Sequence, residues 1–290
     1  MAPVAHNPKR AAVMILLAAS LIASTTIVAK YLGTLGTPLH PLQVSAGRFV
    51  FAFLALLAFS AVTRPKISNP QVGLHLGRSL FGWMGVTLMF TAVARIPVSD
   101  ATAISFLNPV FGMMLAIPIL GEKVGKWRWS AAAIALCGAV ILLRPGAGSF
   151  QPAALFALVA ALFMGLEVVL IKLLSGREPP MQILLFNNGM GATLALTAAL
   201  FVWTAPSWDQ WIGLCLIGLL MVCGQALFIQ AMRSSEASFV LPFSYSTLVF
   251  AALYDFWAFG ARPDAISVTG AAVILGGAVL LAWREMRIKS

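Results

Sequence analysis

Charge is scarce in this sequence, and acid is the scarcest of it. Only 10% of the 290 residues are Asp, Glu, Lys or Arg, and nine of them are acids. A water-soluble domain carries roughly a quarter of its residues as charge to cover its surface. This chain cannot cover such a surface, so lipid must be its solvent. Paired carboxylates, His/Asp clusters and nucleophile–base pairs, which an intramembrane enzyme needs, are also missing. The three histidines, His6, His40 and His75, lie outside the centres of the apolar runs, and the acids are not clustered. Cysteine is equally rare: Cys137, Cys215 and Cys223 lie inside apolar runs at no metal-ligand spacing, so no metal site and no disulfide framework is expected. There is no phosphate-binding loop, which excludes ATP-driven pumping by this chain alone, and no cofactor is expected.

What is present is apolar length. Hydrophobic residues make up 60% of the chain and the mean hydropathy is +0.94. About 20 apolar residues span a bilayer core as a helix. Ten such runs can be read between clear punctuation, at roughly 11–32, 42–62, 73–94, 99–119, 127–143, 152–174, 182–203, 210–231, 238–258 and 265–283. The links are short, and Gly36-Thr37-Pro38, Arg64-Pro65-Lys66, Arg144-Pro145-Gly146, Pro179-Pro180 and Arg262-Pro263-Asp264 mark them. None holds a soluble domain. Lys9 and Arg10 precede the first run as in a signal peptide, but the run exceeds a typical signal core and is read as a retained span.

The net charge of +10 is scattered between apolar runs without an aromatic-basic strip, so no nucleic-acid partner is expected. Lys and Arg instead report orientation, because cytoplasmic loops hold the excess. With the N-terminus inside, cytoplasmic segments hold twelve of them: Lys9, Arg10, Arg64, Lys66, Lys123, Lys126, Arg128, Arg177, Arg233, Arg284, Arg287 and Lys289. Outer segments hold only Arg95, Arg144 and Arg262. Both termini are therefore expected in the cytoplasm, as an even number of spans requires.

The two parts of the chain repeat each other in order. Ala18-Ala19 with Lys30 reappears as Ala160-Ala161 with Lys172, and Pro41-Leu42-Gln43-Val44 as Pro180-Met181-Gln182-Ile183. Phe90 with Arg95 matches Phe228 with Arg233, and Gly138 in the fifth run matches Gly276 in the tenth. The offset stays between 138 and 142. The expected architecture is all-α: ten transmembrane helices as two five-helix repeats, 1–146 and 147–290, in a single membrane domain. Five is odd, so the second repeat enters the membrane inverted. Inverted repeats are the usual frame of secondary transporters.

Lys30 at the end of the first run, Arg48 in the second, Pro109 followed by Leu120-Gly121-Glu122 in the fourth, and Gly270-Ala271-Ala272-Val273-Ile274-Leu275-Gly276 in the tenth together resemble the drug/metabolite transporter superfamily, in its ten-span EamA-type branch of bacterial metabolite exporters. The chain departs from that pattern at Ile22-Ala23, at Thr247 where the repeat would place proline, and at Gly260-Ala261-Arg262. The resemblance implies a central cavity formed mainly by the first, third, fourth, sixth, eighth and ninth spans. It also implies export of amino acids or related metabolites across the bacterial cytoplasmic (inner) membrane by alternating access. Export of other small polar or cationic, drug-like compounds is the alternative.

Intramembrane polar residues name the candidate substrate site. Glu167 lies near the middle of the sixth run, where an acid costs about 2.5–3.5 kcal/mol on insertion scales. It either meets a substrate amine or a proton in a cavity, or is protonated in a helix contact. Thr102, Ser105 and Asn108 recur at threes on one face of the fourth span, and Trp83, Thr87 and Thr91, four apart, share one face of the third. On the repeat offset Thr87 corresponds to Gln225 and Asn108 to Ser246, while Glu167 corresponds to neutral Thr25. Ser244 and Tyr245 follow Pro242, where a kink could free a carbonyl. Trp83, Thr87, Asn108, Glu167, Gln225, Ser244 and Tyr245 are therefore expected to border one central cavity. Arg78 is read as snorkelling to the interface, Arg48 is left open, and Lys30 and Lys172 are read as anchors at helix ends. Asp255 is read as solvated or paired with Arg262, His75 as an interface residue, and Gly73-xxx-Gly77 as a helix-packing motif.

Overall fold

Helices begin and end where proline and glycine punctuate the apolar runs. A computed structural model describes residues 8–34, 37–65, 67–120, 126–143, 151–175, 177–234 and 246–289, and these are helical with short connections. The helices are α1 (Pro8–Thr34), α2 (Pro41–Thr63), α3 (Val72–Val93), α4 (Val98–Ser105), α5 (Asn108–Leu120), α6 (Lys126–Leu143), α7 (Pro152–Ser175), α8 (Pro180–Ala199), α9 (Trp208–Ser234), α10 (Ser246–Phe259) and α11 (Ala265–Lys289). Pro41 and Pro180 each open a helix at its first turn, where the missing N–H has no intrahelical partner anyway.

Seven stretches among the described residues are long and apolar enough to cross a membrane: Arg10–Thr34, Pro41–Thr63, Val72–Val93, Val98–Ile119, Pro152–Ile171, Pro180–Val202 and Trp208–Phe228. Ser246–Phe259 and Ala265–Gly277 are shorter apolar stretches. The start of the ninth expected span, 238–245, lies outside the described residues. Large apolar side chains face outward, among them Val62, Phe201 and Trp257 at 83%, 86% and 72% exposure, which only a lipid solvent tolerates in such numbers. Trp203, Trp208 and Trp211 gather around the α8–α9 link, as in the aromatic belt of a membrane interface.

The fourth expected span, read as continuous over 99–119, is instead broken into α4 and α5 at Phe106-Leu107. Pro109 is the cause. It brings no N–H for the carbonyl of Ser105, and its ring clashes with that carbonyl in a straight helix. The Asn108 side-chain amide takes over, donating to the Ser105 carbonyl at 2.9 Å.

Each helix of the first part of the chain finds its main partner in the second. α1 packs on α9, α2 on α8 and α9, α3 on α7, α5 on α7, and α6 on α11, while α10 lies against α1 and α4. Without a hydrophobic drive between helices in lipid, close backbone approach supplies the contact energy. Small residues allow it: Ala18, Ala23, Ala157, Ala160 and Ala161 are fully buried. One close backbone approach is α7 on α5. A Cβ on Gly165 would lie 2.7 Å from the Gly112 nitrogen and 2.8 Å from the Asn108 carbonyl oxygen, and neither backbone atom can step aside. Gly165→Ala is expected to destabilise the protein by about 1–3 kcal/mol, the usual cost of overpacking. Gly276→Ala, which meets nothing within 4 Å, leaves stability unchanged or raises it. Thermal unfolding of the two variants in detergent checks the contrast.

Candidate substrate cavity

Among the described residues, two adjoining cavities carry charged side chains on their walls. The larger, about 520 Å³, is lined by Arg78, Glu167, Glu178 and Gln225 together with apolar side chains. The smaller, about 290 Å³, is lined by Thr25, Thr26, Arg48, Thr102, Ser105 and Asn108 among others. Ile22 and Met221 line both, so the cavities abut at this pair.

Local sequence explains how the charged groups reach them. α3 approaches α7 through Gly82 and Gly85: a Cβ at Gly82 would stand 2.9 Å from the Glu167 carboxyl carbon, and one at Gly85 2.9 Å from Met164 Cγ. Without those side chains, α7 seats Glu167 directly against α3. Arg78, one helical turn before Gly82, then lies with its Nε 3.6 Å from Glu167 Oε1. Its Nη1 donates to the Ile183 carbonyl at 3.0 Å. Arg48, from α2, is 3% exposed, and its guanidinium stacks 4.3 Å from the centre of the Phe49 ring. Arg48 and Arg78 are buried and Glu167 is half-buried, and the charges of the three act on one another.

Further polar contacts tie the two parts of the chain at both ends of the helices. At one end, Gln182 of α8 clamps the α2–α3 link: its amide donates to the Ser68 carbonyl at 2.7 Å and accepts from the Ser68 N–H at 2.8 Å. At the other, Gln43 of α2 clamps the α8–α9 link, donating to the Thr204 carbonyl at 2.8 Å and accepting from the Thr204 N–H at 3.2 Å. Ionic contacts also lie toward each end. Beside Gln182, Glu178 accepts from the Gln71 N–H at 2.6 Å, from the fully buried His75 ring at 2.6 Å and from Gln182 itself at 2.7 Å. Burial pushes the Glu178 carboxyl up, but these three partners pull it further down, below the ordinary carboxylate range. The stabilisation is therefore present above the ordinary carboxylate range and is lost as pH falls through the lowered value. Toward the opposite end, Lys30 Nζ donates to Asp255 Oδ1 at 2.7 Å, and Asp255 Oδ2 accepts from the Val98 N–H at 2.9 Å.

These contacts correct several sequence expectations. Arg78 does not snorkel; it is 5% exposed because Glu167 and the Ile183 carbonyl receive it inside the protein. Asp255 is neither solvated nor held by Arg262: it is 1% exposed and engaged by Lys30, which is thus a buried-pair partner rather than an anchor. His75 is packed inside against Glu178 and Phe186, not at an interface. Gly73 meets nothing within 4 Å of an added Cβ, so of the Gly73–Gly77 pair only Gly77 approaches a neighbour, Leu170 at 3.3 Å.

The EamA-like transporter family matches this chain twice, over residues 9–144 and 151–283. The chain belongs to that family. It is therefore a multi-pass membrane protein of a transporter family, and the junction between its two EamA-like copies falls between α6 and α7. It is 28% identical over 282 residues to the S-adenosylmethionine uptake transporter of Rickettsia prowazekii, covering 93% of this chain and 92% of that one. It is 28% identical over 287 residues to the riboflavin transporter of Vibrio cholerae, covering 97% and 96%. It is 24% identical over 217 residues to the pseudopaline exporter CntI of Pseudomonas aeruginosa, covering 74% and 76%.

Both cavities lie between the two EamA-like copies, and the residues singled out in sequence divide among them. Glu167 and Gln225 line the larger, with Gln225 Oε1 buried and unpartnered among the described residues. Asn108 lines the smaller, as does Thr25, the repeat counterpart of Glu167. Trp83 and Thr87 line neither. Trp83 packs against the cluster of Ala46, Phe49, Ala192, Ala195 and Ala199 between α2 and α8, and the Thr87 hydroxyl donates to Ser45 Oγ at 2.8 Å. Ser244 and Tyr245 lie outside the described residues, as does the Lys172 side chain. Sequence reasoning passed over Arg78 and Glu178 as lining residues. For Arg78 the signal was position alone, a full turn and a half inside an apolar run. Glu178 sits in a link and carried none.

Proposed function

We propose that this protein is a secondary transporter of small metabolites bearing an α-amino acid group, working by alternating access. The observation that carries the substrate class is the Arg78–Glu167 pair on the wall of the larger cavity, beside the unpartnered Gln225 carbonyl. An acid in a low-dielectric cavity with guanidinium groups at hand, Arg78 on the same wall and Arg48 on that of the adjoining cavity, complements an ammonium and a carboxylate joined through one carbon. Methionine and S-adenosylmethionine share that group, and transport of the latter is the named activity of a relative matched over nearly its whole length.

The architecture proposed with it is ten spans in two inverted five-helix repeats, 1–146 and 147–290, with α4 and α5 together forming the fourth. Under inversion the first span exchanges with the sixth and the third with the eighth. The α1–α9 and α3–α7 contacts are then one contact seen twice, and the Gln43 and Gln182 clamps are likewise one device at opposite faces. The Lys/Arg excess supports a cytoplasmic location for the Gln182 clamp and both termini, in the bacterial inner membrane. Such a carrier runs down the gradient it meets, so export and uptake are one cycle in opposite senses.

Purified protein in proteoliposomes tests the reading. Labelled L-methionine or S-adenosylmethionine is expected to cross saturably, above protein-free vesicles. Saturable flux of riboflavin with neither amino acid carried would refute the substrate class.

A further inference from the structure

We infer that the smaller cavity holds the carboxylate of the substrate, on Arg48. The inference rests on the transporter reading above and assigns a residue and a chemical group within it.

Among the described residues, Arg48 is a buried cation without an anion of its own. Lys30 has Asp255, and Arg78 has both Glu167 and the Ile183 carbonyl. Arg48 Nε and Nη1 have no hydrogen-bond partner among the described residues, although the side chain is 3% exposed. A guanidinium cannot shed its proton to escape that cost. The Phe49 ring face offsets part of the charge but accepts no hydrogen bond in the guanidinium plane.

The rest of the cavity wall says what chemistry fits. The hydroxyls of Thr25, Thr26 and Ser105 donate to carbonyls of their own helices, at 2.7 Å in each case. The Asn108 amide is engaged by the Ser105 carbonyl. What remains unpartnered on the same cavity wall, among the described residues, is the buried hydroxyl of Thr102. A guanidinium fork and a hydroxyl, both donors, call for a ligand with two acceptor oxygens and a negative charge. A carboxylate fits both, and its bidentate pairing with a guanidinium is among the strongest neutralising contacts a protein makes. The two cavities abut at Ile22 and Met221, and Arg48 and Glu167 feel each other's charge, so one small zwitterion can present its ammonium to Glu167 and its carboxylate to Arg48.

The test is competition against influx of labelled L-methionine into proteoliposomes containing the full chain. The competitors are unlabelled L-methionine, its methyl ester, and the amine formed by its decarboxylation. With wild type, the ester and the amine are expected to compete at least about tenfold more weakly than methionine, the loss that follows removal of a charged hydrogen bond. In Arg48→Gln the three are expected to compete alike, and Arg48→Lys retains part of the preference. A merely structural arginine would weaken all three competitors together and leave their order intact. If Arg48→Gln does not insert, Arg48→Lys decides: a preference for the acid over the ester as large as in wild type overturns the assignment. Equal competition by acid and ester with wild type overturns the Arg48 assignment and leaves the transporter reading standing. Absence of saturable influx of both L-methionine and S-adenosylmethionine overturns both.

Discussion

Glu167→Gln is expected to leave the protein folded and inserted while slowing transport of amine-bearing substrates by at least about 30-fold, the lower end of the ~2–5 kcal/mol that truncating one member of a buried charge pair removes. The swap is nearly isosteric, so α3 and α7 keep their close approach at Gly82 and Gly85. Arg78 keeps the Ile183 carbonyl. What changes is the sign of the cavity. With the acid gone, Arg48 and Arg78 remain as two uncompensated cations around a site that must accept an ammonium. A purely structural Glu167, hydrogen-bonded in a helix contact, gives a different result: altered stability with matching flux and matching pH profiles. Initial flux against pH, wild type beside variant, separates the two, because an acid that exchanges a proton during the cycle imprints a pH dependence that the amide cannot.

The second large effect concerns the two glutamine clamps. Each holds a link of one EamA-like copy to the first turn of a helix in the other, Gln43 to Thr204 and Gln182 to Ser68. If access alternates, each clamp must open in its turn. Cysteines placed at 43 and 204, or at 68 and 182, in a chain first cleared of Cys137, Cys215 and Cys223, can be bridged with a short bifunctional thiol reagent that is cleaved by reduction. Either bridge alone is expected to abolish flux, with recovery on reduction. Full flux through a bridged protein at either face would mean that this face does not open, and alternating access at the clamps would be wrong. The Glu178–His75 contacts make the Gln182 clamp the more elaborate, and no comparable acid accompanies Gln43 among the described residues.

Much of the fold could be read before the structure, because lipid makes hydropathy nearly sufficient: a run of about 20 apolar residues has few alternatives to a helix. The helix starts at Pro41 and Pro180 followed from proline punctuating such runs, and the family from the residues at Lys30, Arg48, Pro109 and 270–276. The break at Phe106-Leu107 was also written locally, in Pro109, and was missed because the apolar run continues through it. Long-range partners were not legible. Lys30 meets Asp255 at a separation of 225 residues and His75 meets Glu178 at 103, and nothing in either sequence neighbourhood names the other. Trp83 and Thr87 show a third limit. Helical spacing places them on one face, but in a helix flanked by neighbours and lipid the hydropathy does not say which way that face turns, and here it turns toward α2. Gln43 and Gln182 were visible as part of the repeat, yet their job appeared only when the opposite links came within reach.

Counterflow tests the central claim most directly. Proteoliposomes loaded with unlabelled L-methionine are diluted into a trace of labelled L-methionine, and internal label is followed in time. A carrier whose buried charged cavity faces each side in turn produces a transient overshoot of label above its external concentration, absent from protein-free vesicles and strongly reduced in Glu167→Gln. Label that only equilibrates, at a rate set by the lipid or unchanged by the substitution, would contradict transport of amino acids through this cavity.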